Sequence, residues 1–82
     1  MTTWTHPRHP LIEARMDMCD GQPFVRGTRM KASKFAKLFR GLLGYSTLAS
    51  EYGTLAVEAS LRFELDESAK RAWRKWYREG GK

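Results

Sequence analysis

The nine residues from Gly21 to Arg29, GQPFVRGTR, leave the backbone few choices. Glycine takes positive φ without a Cβ clash, so Gly21 and Gly27 mark sharp turns. Pro23 fixes its own φ and pushes Gln22 towards extended backbone. The stretch therefore reads as a turn, three or four extended residues centred on Phe24-Val25, and a second turn. Leu11-Ile12-Glu13-Ala14-Arg15 supplies the other arm of a β-ribbon. Two short strands are marginal alone. The ribbon must pack on helices or pair with a second copy across a two-fold axis.

The remainder reads as helix. Ser33 is a good N-cap residue. After it, Phe35, Leu38, Phe39 and Leu42 share one face, while Lys34, Lys37 and Gly41 fall on the other. This helix is expected to end about Leu43, with Gly44 as a left-handed C-terminal glycine. Residues 45–63 match part of a helix-turn-helix template. Ala49 stands four residues before Gly53, a spacing that lets two helices approach and then turn. Leu48 and Tyr52 are expected in the core, and Thr54 as the cap of the second helix.

A conflict follows. Val57, Ala59, Leu61, Phe63 and Leu65 alternate with polar residues, which is the period of a strand. Helix is favoured because Ala, Leu and Glu dominate and because Leu61, Leu65, Ala69, Trp73 and Trp76 also form a helical face. Residues 66–78 give a last helix, or a continuation of the previous one. Asp66 and Glu67 suit its start, Arg74 to Arg78 its end, and Gly80-Gly81 its termination. The expected fold is mainly α, with a short N-terminal β-ribbon and a helix-turn-helix core. Residues 1–10 read as a flexible arm, residues 11–82 as a single domain.

With 82 residues a chain buries only somewhat over ~60% of its unfolded surface, so a dimer partner would add stability. The single cysteine, Cys19, excludes an intrachain disulfide. No apolar run approaches the ~20 residues of a membrane span, and MTTWTHPRHP lacks the apolar centre of a secretory signal. A cytoplasmic location is the expectation. Fifteen Lys+Arg against nine Asp+Glu give a formal charge of +6, which favours polyanions or an acidic partner. The charge is segregated. Six cations and no acid lie between Arg26 and Arg40, five acids and one cation between Gly44 and Glu67, and six cations against Glu79 from Lys70 onward.

Ile12-Glu13, Cys19, Gly21, Pro23, Val25, Arg26, Gly27, Thr28 and Arg29 resemble the signature of a small bacterial family catalogued as domain of unknown function 433. The resemblance runs from Leu11 to Phe63, about two thirds of the chain, and is most specific over residues 19–29. It departs from the family at Leu42, where a glycine is usual, and at Gly53, where proline is usual. The resemblance implies a homeodomain-like, often dimeric DNA-binding antitoxin paired with a PIN-like nuclease toxin.

On this reading, Arg26, Arg29, Lys31, Lys34 and Lys37 contact duplex DNA phosphates. Base reading falls to Ser60 and Arg62, with Thr54 and Glu58 near the start of their helix. Its net acidic charge works against that role. Arg26 and Arg29 have a second role open to them, bracing the ribbon through Asp17, Asp20 and Glu51. Lys70, Trp73, Arg74, Trp76 and Tyr77 combine the residue types of interface anchors, suited to an acidic nuclease site. Alternatively the tryptophans fill the protein's own core.

The runner-up function is therefore a protein-binding adaptor or inhibitor without a DNA role. A membrane-surface helix and a single-strand stacking site on Trp73 and Trp76 are further, weaker readings of the last helix. His6 and His9 have the spacing of a weak metal pair but no second pair of ligands, so no metal is expected. No cofactor is expected either. Without a nucleophile set, a phosphate-cradling loop or an activating setting for Cys19, catalysis is not expected.

Overall fold

The computed structural model describes residues 2–41 and 44–81. Strand β1 (Thr3–His6) folds back on β2 (His9–Arg15), and β2 pairs on its other side with β3 (Phe24–Val25). All pairings are antiparallel, in the order β1-β2-β3. Trp4 faces Ala14 across the first pair, and Ile12 faces Val25 across the second. Helices α1 (Ala32–Arg40), α2 (Tyr45–Tyr52), α3 (Thr54–Leu65) and α4 (Glu67–Arg78) follow.

This corrects the expected fold class. Helix takes 56% and strand 19% of the described residues, which makes the fold mixed α/β rather than mainly α with a helix-turn-helix core. Two findings carry the correction. The segment read as a flexible arm is β1, and its Trp4 is buried against Phe63 with ring centroids 5.9 Å apart. The ribbon predicted from residues 11–15 and 24–25 is thus only part of a three-stranded sheet. Secondly, α2 and α3 are separated by Gly53 alone, whereas a helix-turn-helix uses a turn of three or four residues. Gly53 has φ +92°, backbone that a side chain rarely adopts.

Helix α3 is central and touches α1, α2, α4 and strands β2 and β3. It presents Ala56, Val57, Ser60 and Phe63 to the core, a spacing of three and four residues. Helix therefore forms where alternation argued for strand. The core also takes Ile12, Phe24, Phe35, Leu48 and Ala69.

Several local expectations fail for identifiable reasons. Helix α1 starts one residue before Ser33, and its N-cap, Lys31, makes no side-chain cap bond. Phe39, set on the same face as Phe35, and Tyr52, expected in the core, are exposed, each in the last turn of its helix. Thr54 is the first residue of α3 and makes no cap bond, and Gly44 precedes α2 with φ −78°. Leu42 and Leu43, assigned to the end of α1, lie outside the described residues. Asp66 does cap α4: its Oδ1 accepts from the Ala69 amide at 3.1 Å. It also breaks the chain between α3 and α4, so α4 is a separate helix.

Candidate nucleic-acid interface

Cys19, Asp20 and Gly21 have φ of 51°, 57° and 75°, so the turn before β3 is left-handed throughout. Such backbone costs roughly 1–2 kcal/mol per non-glycine residue. A Cβ on Gly21 would also lie 2.6 Å from Tyr77 Cε1. The turn is therefore packed directly beneath α4, and the Trp73 indole donates to the Gly21 carbonyl at 2.9 Å. After β3, the Thr28 hydroxyl donates to the Val25 carbonyl at 2.9 Å and accepts from the Met30 amide at 3.1 Å. Those bonds close the loop carrying Arg26 and Arg29. The Cys19 thiol donates to the Arg29 carbonyl at 3.3 Å and ties the two turns together.

The six cations of residues 26–40 divide into two sets. Arg26 pairs with Glu13 at 3.5 Å and Lys31 with Asp20 at 3.6 Å, so these two brace the ribbon and its turn. The bracing carboxylate for Arg26 is Glu13, not Asp17, Asp20 or Glu51. Arg29, Lys34, Lys37 and Arg40 are exposed and have no carboxylate within ion-pair distance among the described residues. On α1, Lys34, Lys37 and Arg40 recur every three residues. They form an exposed stripe that starts away from the buried Phe35 and winds towards the edge of the buried face at Arg40. Arg40 was not among the expected contact residues, although that spacing marks it.

The expected base-reading set does not assemble. Ser60 is fully buried, and its hydroxyl donates to the Ala56 carbonyl at 2.9 Å. It is a core residue and cannot reach a base edge. Arg62 is exposed on the same helix, as is Thr54. Glu58 accepts from the Tyr45 hydroxyl at 3.0 Å and is occupied in joining α2 to α3. Desolvation and this bond together push the Tyr45 hydroxyl above its usual pKa.

On α4, Trp76 is buried and its indole donates to Thr2 Oγ1 at 3.1 Å, so it anchors the helix to the start of the chain rather than a partner. Thr2 Oγ1 in turn donates to the Gly81 carbonyl at 2.7 Å. Lys70 pairs with Glu64 at 3.6 Å and Arg74 with Glu67 at 3.1 Å. Trp73 is half-buried and Tyr77 partly exposed, their rings 5.4 Å apart.

His9 is buried against Phe63, and its Nε2 lies 2.8 Å from Asp66 Oδ2. Arg8 reaches the same oxygen at 3.2 Å. The hydrogen bond to His9 and the Ala69 amide hold the Asp66 carboxyl down to about 2. Burial, with Arg8 and His9 nearby, lowers the His6 pKa. These histidines serve the junction between sheet and α4. Among the described residues no three metal-ligating side chains converge, and no helix is long and apolar enough to cross a membrane.

No family model, curated protein or solved structure matches the chain. The family resemblance therefore rests on the signature residues between Ile12 and Arg29.

Proposed function

We propose that this protein binds duplex DNA through backbone phosphates, using Arg29, Lys34, Lys37 and Arg40. The observation that carries this reading is their arrangement: four exposed cations on one loop and one helix face, unpaired among the described residues, in a segment with no acid. An unpaired cation releases condensed counterions when it meets phosphate, without first breaking an internal ion pair. Arg26 and Lys31 contribute less, because each already has a carboxylate.

Phosphate contacts position a protein on DNA but carry no sequence information. With Ser60 buried, Arg62 is the α3 side chain of the expected reading pair that reaches solvent. Repression of an operator and the sheathing of a PIN-like nuclease toxin, in the manner of an antitoxin, are supported by the resemblance of residues 12–29 alone. Binding of a duplex oligonucleotide, measured by fluorescence anisotropy, tests the phosphate assignment. Lys34→Glu with Lys37→Glu should weaken binding at least about tenfold and lower the salt slope by about 1.8, with the circular dichroism spectrum unchanged. Equal affinity in this variant and the wild type would refute it.

One observation favours a protein contact as well. Leu55 is 71% exposed, and with Leu11, Val25 and Tyr52 it lines a hollow of about 450 Å³ between the ribbon and the α2–α3 corner. We place the homodimer contact there, against a second copy of the chain. Sedimentation of Leu55→Asp beside the wild type tests it, with a monomeric variant expected.

A further inference from the structure

The geometry points to a second nucleic-acid site, for an unpaired strand, on the arginine face of α4. Arg71, Arg74 and Arg78 line an open notch of about 400 Å³ together with an aromatic floor of Trp73 and Tyr77. Arg74 is engaged by Glu67, while Arg71 and Arg78 have no carboxylate partner among the described residues. The floor is fixed in advance. The bond from Trp73 Nε1 to the Gly21 carbonyl sets the indole plane, and Tyr77 packs on Gly21. A rigid aromatic surface rimmed by cations is what a stacked base and its flanking phosphates require.

Charge selects the class of ligand, and the aromatic surface beside it selects the form. Arg71, Arg74, Lys75 and Arg78 fall on one side of the helix within two turns, so that side is cationic. Trp73 also lines a second, smaller cleft of about 170 Å³, but the paired Glu64 and Lys70 stand in it, so the arginine side of the ring is the one open to a polyanion. A duplex keeps its bases paired and cannot offer one to Trp73. The inference rests on α4 residues and stands apart from the duplex reading on α1.

The test uses the full chain with two probes, a short thymidine oligomer and a duplex of mixed sequence. Trp4 and Trp76 are 9% and 7% exposed, so quenching of tryptophan emission by the oligomer reports chiefly on Trp73. The wild type should bind the oligomer with quenching. Arg71→Glu with Arg78→Glu should lose about tenfold in oligomer affinity and about 1.4 in salt slope, with duplex affinity changed less than about twofold. Lys34→Glu with Lys37→Glu should show its larger loss on the duplex, so failure of the α1 reading and failure of this one are separately visible. Should the double Glu variant not fold, Arg71→Gln with Arg78→Gln carries the same expectation at smaller size. Unchanged oligomer affinity in the folded variant, absence of quenching, or displacement of the oligomer by polyglutamate at equal affinity would each overturn the assignment. The last outcome would make the face an acidic-protein surface.

Discussion

The indole N–H of Trp73 reaches across from α4 to the carbonyl of Gly21, 2.9 Å away, and joins the left-handed turn to the last helix. Two chemically unlike segments, 52 residues apart, are held in register by this bond and by the Tyr77 ring on Gly21. Gly21→Ala should therefore cost about 2–4 kcal/mol, combining a Cβ 2.6 Å from the Tyr77 ring with left-handed backbone. Urea unfolding measures it. A cost under about 1 kcal/mol would mean that the turn and α4 do not pack as described.

Ser60 makes a sharper test of where α3 faces. Its side chain is enclosed by the core, so Ser60→Leu should destabilise the protein by about 1–3 kcal/mol through overpacking. Ser60→Ala should leave duplex affinity unaltered. If Ser60→Ala weakens duplex binding at constant stability, the residue reaches the DNA and the burial is wrong.

The Asp66 junction predicts an acid-side loss of stability. The carboxyl is held down to about 2 in the folded protein, against 3.8 for an unperturbed aspartate. The unfolded chain therefore binds the proton first as pH falls. The Asp66 contribution is complete above about pH 5 and disappears as pH drops through about 4 towards 2. Asp66→Asn keeps an N-cap acceptor but should flatten the dependence of the urea midpoint on pH in that window. An unchanged pH profile in the variant would assign the acid sensitivity elsewhere.

The legible parts of the sequence were those where one residue type has one local solution. The two turn glycines, Gly21 and Gly27, both have positive φ, and Asp66 caps α4. The missed parts depend on partners distant in sequence. Thr3–His6 carries no strand period of its own, and it is β2 and Phe63 that order it. In α3 the apolar pattern misleads at both ends. Leu55 and Leu65 are exposed while the small polar Ser60 is enclosed, so hydrophobicity alone gave the wrong face. For the interface, charge density picked out residues 26–40. Separating free cations from braced ones required knowing that Glu13 and Asp20 come within reach of Arg26 and Lys31.

The phosphate reading is tested most directly by the salt dependence of wild-type binding to a duplex. Four cations unpaired among the described residues predict a slope of log affinity against log salt of about −3.6, with binding lost steeply between low and physiological salt. A slope near zero, or no binding even at low salt, would contradict the account.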